Sequence, residues 1–476
     1  MNRIATAPRW MLLVALARCA MSGVATAQTA EIPYHTESYT LESGRHDGAG
    51  LEVRRPLERV IRIEGAEWLQ IAFDGYDLGS GSWISLRSLR DGGLQTLDAR
   101  SIKKWGSRSA YFNGDAVELV LHVAPDDRGV FVNVARAIVG ELARRAAVLD
   151  EDPAFLKSIC GASDDRTSSN DNRVGRLRPS GCTAWRVTNG AFLTAGHCVD
   201  LDPDNSGPLL PDGVLDSLTV VEFNVPASDS NGTITNAAPV DQFPANNTTV
   251  QWRFDGTGQG FGKDWAVFGV YPNDSTGMMP HQVYGLPFRM TKETPTFGQT
   301  MRVTGFGVDS LPAGTPGPFN QSNMTNQTTI GTYNAETSSG QDIWISHTVD
   351  TEGGNSGSPM IWETNGLAVG VHTNAGCTST GGTNLGTSFE VDALETTIMN
   401  FPGANTRYVD VGHPMPVVED GFVFRPFNTI PEGVDLVPVG GNVSVVAGSY
   451  VVSTNYFTNK ALTITAPVGE VLITAP

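Results

Sequence analysis

Apolar and polar residues alternate in short segments along most of the chain, with Gly, Pro, Asn and Asp between them. Before residue 150 such segments occur at Arg59–Ile63, Leu69–Phe73, Ser82–Leu86 and Val117–Val123. A period of two is typical of strands with one buried face, and strands separated by turns at this spacing favour a β-sandwich. We therefore predict an N-terminal β-rich domain over 28–150, and the pattern leaves open whether it is an accessory domain or a pro-domain.

The region after this domain divides into a polar stretch and a long β-rich segment. Residues 163–172 have the polar composition of an exposed linker, so we predict a linker over 151–172 with a plausible processing site. From 173 to 406, apolar strands alternate with loops rich in Gly, Pro, Asn and Asp. The long polar segments 201–217, 226–257 and 311–340 are predicted to be surface loops.

The tail, 407–476, has a different character, with strand-like pieces between Gly-containing turns. These pieces are Val443–Val446, Tyr450–Ser453, Leu462–Thr465 and Val471–Ile473. Residues 432–467 resemble the opening rungs of parallel β-helix proteins, but a solenoid normally needs about three or more stacked repeats. We predict a small packed β appendage, and its partner is not indicated by the sequence.

The N-terminus has the pattern of an export signal, with Arg3 and Arg9 before the apolar run Trp10–Ala17 and the small residues Ala25–Ala27. We predict a signal peptide over 1–27, with a disordered apolar tail as the alternative. No later stretch reaches ~18 consecutive apolar residues, so no membrane span is predicted. The mature chain is expected to be secreted, either extracellular or periplasmic.

Charge and cysteine content restrict the classes of partner and site. With 50 acidic and 32 basic residues the net charge is -18, which excludes the basic surface that nucleic acids select.

Four cysteines remain after removal of the signal peptide, an even set that predicts two disulfides with three possible pairings. No C-x-x-C spacing is present, so no metal site is predicted. The four are Cys160, Cys182, Cys198 and Cys377.

Two short motifs carry candidate nucleophilic chemistry, Ala191–Cys198 and Gly353–Pro359. A serine hydroxyl attacks a carbonyl only when an imidazole base lies within hydrogen-bond reach and a carboxylate orients that base. The glycines around Ser356 allow a tight turn in which the N–H groups of Gly354 and Ser356 converge on a developing oxyanion. Alone, this Gly/Asn/Ser segment is an ordinary surface turn; paired with the His197 motif it is a candidate active site.

These motifs, in the order His before Ser, resemble the chymotrypsin-like serine proteases, and among them most closely the bacterial glutamyl endopeptidases and secreted trypsin-like peptidases. The resemblance implies a mainly β chain whose residues 173–406 form a two-barrel protease domain. It also implies a serine endopeptidase that acts on proteins or peptides without a cofactor, with Ser356 as nucleophile and His197 as general base. A non-catalytic secreted binding protein and an esterase on the same scaffold are the alternatives.

The third catalytic member is assigned to Asp264. The segment Lys263–Val270 resembles the family's aspartate motif and lies between the other two motifs. Asp241 and Asp255, in neighbouring loops, are the rivals.

The resemblance also bears on disulfides and activation. It implies a Cys182–Cys198 bond, worth about 3 kcal/mol as a short loop closure, and leaves Cys160 and Cys377 as a second pair worth about 5 kcal/mol. Asn355 stands where animal digestive enzymes have an Asp that pairs with a freed amino terminus. Zymogen activation through that ion pair is therefore not expected here.

Three residues beside Ser356 are candidates for substrate binding. Thr351 and His372 match positions that bind a substrate carboxylate in the glutamyl endopeptidases, which implies a preference for Glu or Asp before the cut. Asp350 matches the position of the aspartate that attracts Arg or Lys in trypsin-type enzymes, so the two specificities compete. The other histidines are predicted to be structural or at the surface: His35, His46, His122, His281, His347 and His413.

Overall fold

The computed structural model describes residues 32–141, 157–200, 218–254, 261–309, 321–414 and 418–476. The predicted signal peptide lies outside these residues, as do 151–156 of the predicted linker and the predicted loop 201–217. Within the described ranges, no helix is both long enough and apolar enough to cross a membrane.

The N-terminal domain is a sandwich of two four-stranded antiparallel sheets, which confirms the predicted sandwich-like fold. The sheet orders are β1-β8-β3-β6 and β2-β7-β4-β5, with a short helix, α1, between β5 and β6. Apolar residues from the inner faces, including Ile71, Leu86 and Leu119, form one core. The elements are β1 (Tyr34–Glu42), β2 (Arg54–Arg62), β3 (Trp68–Asp77), β4 (Trp83–Ser88), β5 (Leu94–Leu97), α1 (Ala99–Lys104), β6 (Phe112–Asn113), β7 (Ala116–Val123) and β8 (Phe131–Gly140).

Two short strands lead from the sandwich into the first β-barrel. The barrel is closed and antiparallel, with strand order β11-β12-β13-β16-β15-β14. Its core is aromatic, with Phe192, Phe223, Phe243 and Phe268 packed together. The strands are β9 (Lys157–Ser158), β10 (Thr167–Ser168), β11 (Val174–Arg178), β12 (Thr183–Arg186), β13 (Phe192–Thr194), β14 (Val220–Glu222), β15 (Gln242–Arg253) and β16 (Trp265–Val270).

The second barrel closes because β18 pairs with both β17 and β19. Its strand order is β18-β17-β21-β22-β25-β19, and β10 pairs with the outer edge of β18. The two six-stranded barrels confirm the predicted two-barrel protease fold. The elements are α2 (Pro280–Tyr284), β17 (Thr300–Gly307), β18 (Thr325–Ser339), β19 (Asp342–His347), β20 (Thr351–Glu352), β21 (Pro359–Trp362), β22 (Leu367–Asn374), β23 (Cys377–Thr378), β24 (Gly381–Gly382), β25 (Asn384–Ser388) and α3 (Asp392–Met399).

The prediction that 226–257 and 311–340 are surface loops is wrong for β15 and β18. Both strands are rich in Thr, Asn and Gln, but β18 alternates between buried and more exposed positions, and the first four residues of β15, Gln242–Ala245, are all buried. Buried polar side chains in these strands take hydrogen-bond partners; for example, Gln242 Nε2 donates to the Ala237 carbonyl at 2.8 Å. A barrel strand can therefore bury polar residues provided that each finds a partner.

The tail packs beside the two barrels as a small β appendage, as predicted. β26, β27 and β29 pair in parallel, and so do β28 and β30, which is the pairing expected of stacked rungs. A bidentate ion pair from Arg289 to Asp410, with distances of 2.6 and 2.8 Å, joins the appendage to the preceding domain. The elements are β26 (Thr406–Val409), α4 (Ile430–Leu436), β27 (Asn442–Val445), β28 (Gly448–Val451), β29 (Thr463–Thr465) and β30 (Val471–Thr474).

The sandwich and the first barrel share a buried polar junction. Gln242 of β15 is fully buried; its Oε1 accepts the Tyr111 N–H at 2.9 Å and its Nε2 donates to the Tyr111 carbonyl at 2.8 Å. The Arg178 guanidinium lies over the rings of Tyr111 and Trp68, at 4.0 and 4.6 Å from their centres. These groups are buried away from water, so their hydrogen bonds and ring contacts depend on the two domains being packed together. We therefore regard the sandwich and the first barrel as one packed unit.

Replacing Gln242 by Ala tests this junction. The change leaves the buried N–H and carbonyl of Tyr111 without partners, so we expect the free energy of unfolding to fall by about 3 kcal/mol. Urea unfolding followed by fluorescence measures the change. Gln251→Ala, on the exposed part of the same strand, is the control and is expected to unfold as the wild type does. Equal stability of the two variants would contradict a close-packed junction.

Candidate active site

His197 lies in a 3-10 turn, Gly196–Cys198, directly after β13. Gly196 is required here because a Cβ would overlap the Arg253 carbonyl. The Cys182–Cys198 disulfide ties the end of this turn to the strand region before it. The backbone of His197 is therefore fixed on both sides.

Asp264 holds His197 through both carboxylate oxygens. Oδ2 lies 2.6 Å from His197 Nδ1, and Oδ1 accepts the His197 backbone N–H at 3.0 Å. Asp264 is 1% exposed and immediately precedes β16, and its carbonyl accepts the Thr387 hydroxyl from the second barrel at 2.8 Å. The carboxylate keeps the ring proton on Nδ1, so Nε2 is left as the basic nitrogen. Nε2 is buried and has no hydrogen-bond partner among the described residues.

The rival aspartates are not brought to this histidine in the described part of the chain. Asp241 accepts hydrogen bonds from Asn224 at 2.9 Å and from the Tyr284 hydroxyl at 2.5 Å. Asp255 lies outside the described residues. Asp264 is therefore the aspartate that the fold places against His197.

Ser356 lies in the tight loop between β20 and β21, beside the His197 turn. The loop is held by the first barrel: Thr183 N–H donates to the Ser356 carbonyl at 2.9 Å, and Thr183 Oγ1 donates to the Gly354 carbonyl at 3.0 Å. Cys198 Sγ lies 3.9 Å from the Ser356 carbonyl oxygen. Ser356 Oγ donates to the Thr373 carbonyl at 3.3 Å in this conformation.

The two predicted oxyanion donors lie in the same loop. Gly354 has φ +92°, a conformation that favours glycine, and a Cβ there would overlap the Phe306 carbonyl. The N–H groups of Gly354 and Ser356 donate to no acceptor within the described ranges. Such unpaired amides are suited to bind a developing negative charge.

A pair of buried histidines lies beside this loop. His372 on β22 lies 3.3 Å from His347 at the end of β19, measured between Nδ1 and Nε2, and the Gly357 N–H donates to the His372 carbonyl at 2.8 Å. His347 Nδ1 accepts the Val349 N–H at 3.1 Å. Neutral His347 therefore carries its proton on Nε2 and donates it to His372 Nδ1, which leaves the His372 proton on Nε2.

Both imidazoles are kept neutral by their surroundings. Burial lowers the pKa of His347 to about 3. Burial also lowers the pKa of His372 well below its ordinary value, and the neighbouring His347 and His197 lower it further. The pair is a fixed hydrogen-bond relay at neutral pH.

The other two candidate substrate-binding residues have different surroundings. Thr351 is fully buried, and its hydroxyl oxygen accepts Asn384 Nδ2 at 3.0 Å, so its hydroxyl proton can be donated elsewhere. Asp350 accepts the backbone N–H groups of Cys160 at 2.7 Å and Asp165 at 2.9 Å, one on each oxygen. Burial raises the pKa of Asp350, and these two N–H groups oppose that shift.

Comparison with known proteins agrees with this architecture. A family model described as the trypsin-like peptidase domain matches residues 182–371. The chain contains a trypsin-like serine peptidase domain. No curated protein sequence shows significant similarity to the chain.

Several solved structures resemble the peptidase at low overall scores. A Glu endopeptidase in complex with MPD is 20% identical, with a TM-score of 0.35, and the match covers 50% of this chain and 97% of that one. A thermostable serine protease from an extremophilic microorganism is 19% identical, with a TM-score of 0.32 and coverage of 48% and 98%. Human heparin binding protein is 13% identical, with a TM-score of 0.32 and coverage of 51% and 98%.

Among the described residues, one group beside the peptidase histidine has the spacing of a metal site, but it does not offer suitable ligands. Cys182, His197 and Cys198 lie close enough together to be considered, since their candidate atoms are all within 4.8 Å. The two cysteines are joined in a disulfide, however, so neither offers a thiolate. The same structure contains the second disulfide, Cys160–Cys377.

Sequence reasoning about the peptidase missed two buried side chains. His347 was predicted to be structural or at the surface, yet it contacts His372; no local motif indicates this, because the two lie on different strands. Arg166, in the predicted linker, has a guanidinium that is 3% exposed. The remaining histidines make contacts elsewhere, with His46 on the Ser43 carbonyl and His413 on the Met290 carbonyl, for example.

Proposed function

We propose that this peptidase is a secreted endopeptidase that uses Ser356, His197 and Asp264 and cleaves after Glu or Asp. The observation that carries the catalytic part is the two-point contact of Asp264 with His197, because it orients Nε2 as the base. The acidic preference is supported by the neutral His347–His372 relay beside the loop Glu352–Ser356, hereafter the serine loop.

In the proposed reaction Ser356 Oγ turns from the Thr373 carbonyl toward His197 Nε2 and transfers its proton as it attacks the scissile carbonyl. The N–H groups of Gly354 and Ser356 bind the oxyanion, and the imidazolium formed next to Asp264 protonates the leaving amine. Water then attacks the acyl enzyme through the same base and releases the second product.

The acidic side chain of the substrate is proposed to bind neutral hydrogen-bond donors rather than a positively charged residue. His372 Nε2–H and the Thr351 hydroxyl would both donate to a substrate carboxylate, and His347 would stabilise the His372 tautomer that makes this possible. The alternative, an Arg or Lys preference, needs an Asp350 carboxylate that faces the substrate. Asp350 has less support for that role because both its oxygens accept backbone N–H groups of the segment 160–165.

Cleavage-site profiling on a peptide library tests the preference. We expect cuts after Glu and Asp, and in His372→Leu we expect kcat/KM for a Glu substrate to fall about 100-fold relative to a Gln substrate, since hydrogen bonds to charged groups are worth up to about 3 kcal/mol. His281→Leu, a half-buried histidine on α2, is the control. Cuts after Arg or Lys would instead show that the Asp350 carboxylate determines the substrate preference.

Covalent labelling separates the catalytic proposal from a binding role. A fluorophosphonate is expected to modify Ser356, whereas a non-catalytic binding protein would not react. Comparing peptide with simple ester substrates distinguishes an endopeptidase from an esterase.

A further inference from the structure

Arg166 is a buried charge in the segment between the sandwich and the first barrel. Its guanidinium contacts Asp164, with Nη2 2.6 Å from Oδ2, and donates from Nη1 to the Val308 carbonyl at 3.0 Å. Nη2 also lies 3.4 Å from Oε2 of Glu352, whose side chain is 4% exposed. Arg166 therefore reaches from residues 157–168, hereafter the strap, to the start of the serine loop.

The groups that Arg166 contacts are themselves bonded to the loop Glu352–Ser356. The Val308 N–H donates to the Gly353 carbonyl at 2.8 Å. The Asn355 side-chain oxygen accepts the Glu352 N–H at 3.0 Å, and the Asn355 N–H donates to the Glu352 carbonyl at 3.0 Å. One connection runs from the guanidinium through Val308 to Gly353, which precedes the Gly354 N–H. The other runs through Glu352 to Asn355, which precedes the Ser356 N–H. Both amides are proposed to bind the oxyanion.

Gly307 shows how closely these groups approach. A Cβ at this position would overlap both the Asn355 side-chain oxygen and Arg166 Nη1. Only a glycine in β17 leaves room for the two polar groups against the backbone. Arg166 of the strap and Asn355 of the serine loop thus both pack against the backbone of Gly307.

The strap is anchored independently of Arg166. β9 pairs with β20, the Cys160–Cys377 disulfide crosses to the second barrel, and Asp350 accepts two strap N–H groups. Loss of the guanidinium alone therefore leaves the strap in place.

We propose that Arg166 is a positioning residue that fixes the serine loop in the conformation where the Gly354 and Ser356 N–H groups converge. The inference rests on the proposed function. Without the guanidinium, the buried Glu352 carboxylate and the Val308 carbonyl lose the arginine contact that ties them to the strap, and the loop shifts. The oxyanion donors then lose their alignment, although Ser356 and His197 are unchanged.

The test is the rate of fluorophosphonate labelling at Ser356 in the chain from Gln28 onward. Arg166→Ala is expected to react about 100-fold more slowly, comparable to the loss of an oxyanion donor, and methylguanidinium is expected to restore much of the rate by occupying the vacated site. Arg166→Lys, which keeps the charge but cannot bridge the same acceptors, is expected to be intermediate.

Arg173→Ala is the matched control, because Arg173 makes the same bidentate contact with an aspartate two residues before it, Asp171, but stacks on Phe288 away from the loop. It is expected to label at the wild-type rate. Equal labelling of Arg166→Ala and wild type overturns the inference, and so does slowing without rescue by methylguanidinium.

A second variant covers the case in which Arg166→Ala does not fold. Glu352→Gln keeps the size of the side chain and removes its charge, and we expect labelling to slow about 10-fold. A wild-type rate in Glu352→Gln overturns the inference. If the wild-type chain itself is not labelled at Ser356, the proposed function fails, which is a different result from labelling that is insensitive to Arg166.

Discussion

Peptide hydrolysis by Ser356→Ala is expected to fall by about 10⁶-fold in kcat, because the acyl-enzyme route needs the hydroxyl and the remaining groups cannot replace it. A residual rate above water would come from the oxyanion amides and substrate binding alone. Continuous assay of a fluorogenic peptide, with intact mass to verify the variant, measures the change.

Ser358→Ala is the control for this experiment. Ser358 is buried two residues after Ser356, and its hydroxyl has no hydrogen-bond partner in the described part of the structure, so its removal is expected to leave turnover near the wild-type value. Turnover in Ser356→Ala within tenfold of the wild type would show that the nucleophile is another residue.

Asp264→Asn is expected to lower kcat by about 10⁴-fold while the protein stays folded. An amide in place of the carboxylate can donate to His197 Nδ1, which favours the tautomer with its proton on Nε2. That nitrogen can then no longer accept the Ser356 proton. Steady-state kinetics together with thermal unfolding separate the loss of orientation from a loss of structure.

Asp241→Asn provides the comparison for Asp264→Asn. Asp241 binds Asn224 and Tyr284, so its replacement is expected to change stability modestly and to leave kcat near that of the wild type. An active Asp264→Asn together with an inactive Asp241→Asn would reverse the assignment of the orienting carboxylate.

Local sequence was sufficient for features whose chemistry lies within a few residues. The alternation near Leu69–Phe73 and Val117–Val123 predicted strands because a half-buried strand repeats every two residues. The motifs around His197 and Ser356 were recognisable because a tight turn needs its glycines at set offsets, as the positive φ of Gly354 shows. These features determined the β class and the candidate serine and histidine, and the two-barrel fold followed from the family resemblance that the two motifs carry.

Polar barrel strands were missed because their composition resembles that of loops. β15 and β18 bury Gln242, Thr325 and Gln327; Gln242 bonds to Tyr111 in the sandwich, and the other two bond to the Ser322 carbonyl just before β18. A hydrophobicity pattern predicts such polar residues to be exposed, because it contains no information about the groups that form hydrogen bonds with their side chains.

The sequence by itself determined which residues could react; only the tertiary structure decided which charges and imidazoles stand beside them. It placed Asp264 rather than Asp241 against His197, joined His347 to His372, and turned both oxygens of Asp350 to the strap. It also brought Arg166 from a predicted linker to the serine loop. Each of these is a contact between segments far apart in the chain, and such contacts depend on strand pairing and burial, which no short motif encodes.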